Sequence, residues 1–346
     1  CLVLVLSVFL AAWPVLSSTP LYPPYQRRDR FGIAFVPKVQ EGPASWVPQS
    51  FADYSVAPLG VGWYSDWRFD ARVQQPRDAT LEYVQLLDVR RESWEPDWVA
   101  VRQAADVRHG SIWLIGNEPE GPINQGRRTP EDYADIYWKA YMLIKGWDPT
   151  ARIAIGGVIQ PSPLRLRWLE RAMEAYQAKY GEPMPVDVWN IHVQILPEEP
   201  PAPGKPDGGG AGIPVGLEIP RDGLPVTYTV RDCANVHIFA GMIVDFRAWM
   251  KAHGQQDKPL IISEMGVLQP SEYLVENGDA AQGDALIEHF MVETFNWLLT
   301  TRDPETGYPA DDYHLVQQWL WYSLNDKFYD HETGIGFNGS LFDYRT

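Results

Sequence analysis

Two apolar runs of this chain each end on a glutamate. Trp113-Leu-Ile-Gly-Asn-Glu-Pro119 reads as a buried strand that stops at Asn117-Glu118, where the proline can add no further ladder bond. Pro259-Leu-Ile-Ile-Ser-Glu-Met-Gly266 is a second such strand, ended by Glu264 and a glycine that lets backbone or ligand come close. In a protein of repeated βα units, a carboxylate at the C-terminal end of a strand stands in the mouth where ligands bind. If two carboxylates face one another there, the charge of one holds a proton on the other. Such a pair can act as acid and nucleophile at an acetal carbon. Each motif alone is short enough to arise by chance, and the plainer reading is a pair of solvated strand ends or ion-pair members. Their joint occurrence at two strand ends is the stronger signal.

The elements that must position these glutamates follow from hydrophobic patterning. Short β-rich runs near 31–36, 56–64, 82–88, 111–117, 152–159, 186–194, 259–264 and 315–323 read as strands. Helical stretches near 97–107, 130–145, 163–179, 236–253 and 281–300 lie between them. Thr129-Pro130-Glu131-Asp132 is a helix start, with an N-cap, a first-turn proline and acidic residues near the positive end of the dipole. Gly181 and Gly254 are suitable stops. Eight strands with intervening helices predict an α/β fold, a single-domain (β/α)8 TIM barrel. An open doubly wound sheet shares much of the pattern, but no glycine-rich nucleotide loop supports it. The Pro-rich stretch 197–207 and Gly208-Gly209-Gly210 read as a mobile loop insertion after strand six.

With the glutamates on strands four and seven, Asn117-Glu118-Pro119 and Ser263-Glu264-Met-Gly266 resemble the retaining glycoside hydrolases of the clan A (β/α)8 superfamily. The match in order and spacing spans most of residues 31–345. The resemblance implies that Glu118 is the acid/base, Glu264 the nucleophile, and Asn117 the residue holding the sugar 2-hydroxyl. Gly62-Trp63-Tyr64-Ser-Asp-Trp67 resembles the Trp-Tyr-x-x-Trp of a β-1,3-glucanase-like branch, which implies that Trp63, Tyr64 and Trp67 bind substrate. On strand eight, Trp319 and Trp321 share one face by period two, and the resemblance implies a sugar platform there. Trp321 lies nearer the strand's C-terminal end and is the preferred candidate; barrel filling is the competing reading for both. His192 ends strand six, where the superfamily often places a residue touching nucleophile or substrate; a satisfied core histidine is the competing reading. The strand-two arginine of several clan A families has no clear counterpart, since Arg68 follows Trp67 in a loop-like context and strand three offers only Asp88 and Arg90 near its end.

Composition narrows the function classes. The chain has 346 residues and a formal net charge of −16, which disfavours nucleic acid as a partner, and no basic run offsets it. Cys1 and Cys233 are the only cysteines, too few for a disulfide framework or a cysteine zinc site. No His-x-x-x-His or acidic calcium loop suggests a metal, and no cofactor is expected. The 15 Trp, 17 Tyr and 12 Phe suit either a Trp-rich core or stacking on sugar rings. Asp311-Asp312 reads as a solvated loop, and His237 and His314 as structural or exposed.

The apolar segment over 1–18 reads as a secretory signal peptide lacking its n-region, and 19–30 as a Pro-rich linker ahead of a catalytic domain over 31–346, which ends where an eighth helix is expected. Secretion follows, with membrane anchoring only if that segment stays uncleaved. The expected protein is a monomer acting on a polysaccharide or oligosaccharide, a β-glucanase by the resemblance. A β-xylosidase, a β-mannanase, a non-catalytic sugar-binding barrel and a dehydrogenase-like α/β enzyme are the alternatives.

Overall fold

A computed structural model describes residues 25–90, 94–122 and 125–345, so the expected signal peptide and the first part of the linker lie outside the described residues. Eight strand positions run in parallel: β1 (Phe31–Ala34), β2 (Trp63–Ser65), β3 (Glu82–Tyr83, resuming as Gln85–Leu87), β4 (Ile112–Asn117), β5 (Arg152–Gly157), β6 (Trp189–Val193), β7 (Leu260–Met265) and β8 (Gln318–Trp321). One sheet has the order β3-β2-β1-β8-β7-β6 and the other β3-β4-β5, the chain passing from one to the other through Val84. Parallel bridges Ala154↔Val188 and Val158↔Ile191 link β5 to the β6 segment.

Five helices connect these strands: α1 (Trp98–Val107), α2 (Pro130–Trp147), α3 (Pro163–Tyr180), α4 (Val236–Ala252) and α5 (Ala280–Thr300). Each begins on a capping side chain. Asp97, Thr129, Ser162, Asn235 and Asp279 accept first-turn N–H bonds that would otherwise go unmet. Strand two is shorter than its apolar run suggested. Pro58 sits in a 3-10 turn at Ala57–Leu59, closed by Gly60 at φ +66°, so only Trp63–Ser65 remain extended.

Parallel strands flanked by helices are buried on both faces, and alternate residues enter two different apolar clusters. The smaller one holds Ala34, Trp63, Val84, Leu86, Ile112, Leu114, Ala154, Ile261 and Leu320. The larger joins the opposite faces of the strands, including Ile33, Tyr64, Trp113, Ile155, Trp319 and Trp321, to helix residues such as Tyr133, Trp168, Phe246 and Phe290. Gly32 makes room for the Trp63 ring, since a Cβ there would stand 2.4 Å from Trp63 Cε2.

Three expectations about the periphery are corrected. Arg30 is not linker: it is buried and pairs with Asp311 through two bonds of 2.7 and 2.8 Å. Asp311 is accordingly part of the packed fold, while Asp312 is exposed. The Pro/Gly-rich insertion is pinned at both ends rather than free, because the buried Arg165 of α3 bonds Glu198 within it and the carbonyl of Ala211 just after it. Among the described residues, no helix is long and apolar enough to cross a membrane.

Candidate active site

β4 ends in a sharp change of direction. Glu118 adopts φ +44°, a conformation costly for a residue with a Cβ, and it is held there by bonds at both peptide groups. Its N–H donates to the Gly157 carbonyl at 2.9 Å, and its own carbonyl accepts from Gly121 and Gly126. On β7 the pairing register shifts between Ile262 and Glu264 on the β6 side, and between Ile262 and Met265 on the β8 side. Such an irregularity re-aims a side chain, here Glu264. The two glutamates, far apart in sequence, thereby face one another at the C-terminal ends of their strands.

One carboxylate oxygen from each glutamate and a ring nitrogen of His192 lie within 4.8 Å of one another. His192 Nδ1 is 2.9 Å from Glu118 Oε1, and its Nε2 is 3.2 Å from the Ser263 hydroxyl. Gly157 makes this possible, because a Cβ on it would stand 2.5 Å from His192 Cδ2. Gln194, two residues on from His192 and so on the same face of the chain, donates to Glu264 Oε1 at 2.9 Å. Trp67 and Glu264 both line the cleft that opens here.

All three central groups are buried, which decides their protonation. Desolvation pushes the Glu118 carboxyl up to about 7, opposed by the positive charge of Arg165. Burial likewise lifts Glu264 to about 7, with His192, Trp67 and Gln194 favouring its charged form and Glu118 opposing it. Burial lowers His192, so the ring is neutral near pH 7. Two buried carboxyls this close hold one proton between them in preference to two charges. Glu264 Oε1 accepts from Gln194, and Glu118 Oε1 lies beside a neutral imidazole that can accept through Nδ1 while donating from Nε2 to Ser263. The same trio is compact enough to hold a metal ion, an arrangement that sequence spacing does not show because its members stand on β6, β7 and just beyond β4.

A cleft of about 570 Å³ opens over Glu264. Its lining includes Asn117, Gln125, Trp67, Tyr322, Asp326 and Trp46. Asn117 lies in this lining, with its amide donating to Gln125 at 3.3 Å. Trp67 does too, at φ +58° and tilted against Tyr322 with ring centroids 5.5 Å apart.

The other expected aromatics lie elsewhere. Trp63 starts β2, fills the smaller cluster and donates to the Arg30 carbonyl. Tyr64 faces the opposite way, against Phe51 and Tyr83. Trp319 and Trp321 do share a face, but it is the helix-side face, where both contact Phe295. The aromatic that reaches the cleft from β8 is Tyr322, which has the parity of Leu320 and donates its hydroxyl to Asp326. Arg68 lines the cleft mouth as well, held by the buried Asp66, to which Tyr83 also donates at 2.6 Å. Trp46 extends the lining from the hairpin of Lys38–Gly42 and Ser45–Pro48.

No protein-family model matches the chain, and no curated protein does. Solved structures do. A GH128 (subgroup II) endo-β-1,3-glucanase from Sorangium cellulosum superposes with a TM-score of 0.50 at 16% identity, covering 91% of this chain and 96% of that one. A monomeric β-xylosidase from Caulobacter crescentus gives 0.54 at 14% identity, with 92% and 64% covered. A GH128 (subgroup VII) oligosaccharide-binding protein from Cryptococcus neoformans gives 0.50 at 12% identity, with 93% of each chain covered. The chain shares its fold with glycoside hydrolases.

Proposed function

We propose that the protein is a retaining glycoside hydrolase that cleaves β-glycosidic bonds, with a β-glucan as its substrate class. The observation that carries this reading is the buried pair Glu118 and Glu264, with carboxylate oxygens within 4.8 Å. Retaining enzymes hold their carboxyl groups roughly 5–5.5 Å apart, whereas inverting ones need roughly 6.5–9.5 Å for an intervening water. In the first step the Glu264 carboxylate bonds to the anomeric carbon as the glycosidic C–O bond breaks, and Glu118 gives its proton to the departing oxygen. In the second, Glu118 takes a proton from water, the water oxygen bonds to the anomeric carbon, and the Glu264 ester is released.

The two parallel sheets read as arcs of one (β/α)8 barrel, whose strand ends supply both glutamates, His192 and the cleft aromatics. Secretion and a monomeric state belong to the same proposal; they rest on the N-terminal apolar segment and on the self-contained site within one chain. Support for a β-glucan comes from the aromatic cleft and from fold likeness to an endo-β-1,3-glucanase.

The test is a panel of β-1,3- and β-1,4-glucans, xylan, mannan and aryl glycosides, assayed with wild type and Glu264→Ala side by side. Turnover by wild type on a β-glucan, absent in the variant, is expected. Oligosaccharide binding without turnover on any member would instead place the chain with the binding proteins of this fold.

A further inference from the structure

Arg165, in the first turn of α3, is fully buried and touches neither Glu118 nor the cleft. Its guanidinium ties together three successive strand-to-helix loops. Nε donates to Glu120 Oε1 at 2.8 Å, Nη1 pairs with Glu198, and Nη2 donates to the Ala211 carbonyl at 2.6 Å. Glu120, two residues beyond Glu118, also accepts from the Ile159 N–H at 2.8 Å, and its carbonyl accepts from Val215. Glu198 accepts from Val226 at 3.0 Å and from Ser162, the cap of α3. Both carboxylates are buried, and one Glu120 oxygen has no partner among the described residues.

We propose that Arg165, with Glu120 and Glu198, is a positioning unit for Glu118: it fixes the loop that carries the acid and sets the electric field in which the acid holds its proton. This rests on the reading of Glu118 as acid/base. The geometry makes two separable contributions. The fork geometry of arginine, which lysine cannot reproduce, fixes the loop. The charge sum, one cation against two carboxylates, fixes the field, and at low internal dielectric it reaches groups it does not touch.

The charged and titratable groups facing Glu118 are Glu120 on its own loop, Arg165 from α3, His192 from β6, Glu264 from β7 and Tyr322 beyond β8. Removing the Glu198 charge leaves Arg165 less compensated, and Glu118 should then release its proton at lower pH. Removing the Arg165 charge should act in the opposite direction.

The experiment compares wild type, Glu198→Gln, Arg165→Lys and Arg165→Met by pH–rate profile on an aryl glycoside, and by infrared titration of the carboxyl stretch assigned through Glu118→Gln. Thermal unfolding shows which variants fold. Glu198→Gln should move the alkaline limb and the Glu118 band down by about 0.5 pH unit or more, and Arg165→Met should move both up. Arg165→Lys should leave the limb in place while kcat falls several-fold.

A folded Glu198→Gln with unmoved limb and band overturns the proposal, even if Arg165→Met fails to fold. An inactive wild type whose Glu118 band still shifts in Glu198→Gln overturns the hydrolase reading and supports the positioning unit.

Discussion

Trp321, the last residue of β8, and Tyr322, just beyond it, adjoin in sequence and serve opposite sides of the sheet. Period two correctly pairs Trp319 with Trp321, but a strand buried on both faces carries no sign of which face is which. The polar/apolar alternation that would mark a solvent face is missing here, so Trp321 could be read into the cleft and Tyr322 passed over. Trp321→Ala should therefore cost about 3–5 kcal/mol of stability, as for other core tryptophans, with unchanged affinity per folded molecule. Tyr322→Ala should weaken binding of a glucan oligomer by about tenfold, roughly 1.4 kcal/mol, with a smaller loss of melting temperature. Affinity and thermal unfolding on both variants check this, and the reverse pattern would restore Trp321 to the cleft.

The buried glutamates also set how stability depends on pH. A carboxyl raised in the folded state favours folding below its unfolded value of 4.5, and that advantage is lost as pH rises through about 7. Glu118→Gln, which removes the titration, should match wild type near pH 4 and be more stable by up to about 3 kcal/mol at pH 8. Unfolding measured from pH 4 to 8 gives the comparison, and a gain that is largest in acid would contradict the burial argument.

Among the elements, helix caps and apolar runs were readable in the sequence because they depend on neighbours a few residues away. Thr129 caps α2 and Gly181, at φ +79°, stops α3, as local chemistry requires. What could not be read are features fixed by contacts between distant segments. The Pro/Gly-rich insertion looked mobile by composition, yet it is anchored by Arg165, which is separated from it by the rest of α3 and by β6. The register shift that aims Glu264 leaves no mark on an apolar run. The glycine at the end of β5 is equally silent in sequence. A side chain at Gly157 would collide with His192, so Gly157→Ala should displace the imidazole. Activity on an aryl glycoside should then fall at least about tenfold, as misplacing an active-site group commonly does. Full activity in a folded Gly157→Ala would mean that the His192 position is dispensable.

At the scale of the whole molecule, an acidic chain with eight parallel strand positions brings the ends of β4, β6 and β7 together, so that Glu118, His192 and Glu264 form one buried cluster with Glu264 in the wall of the cleft. Sequence order was sufficient to put the glutamates on the same side, since every strand of a parallel fold ends there. Their separation was not readable, because it depends on the strained backbone at Glu118 and the irregular register at Glu264. That separation favours double displacement over direct attack by water. Proton NMR of the first sugar released from a β-1,3-glucan oligosaccharide tests it most directly, before the anomers equilibrate. The β anomer should appear first, because two inversions at the same carbon preserve configuration; initial release of the α anomer would exclude a covalent Glu264 intermediate.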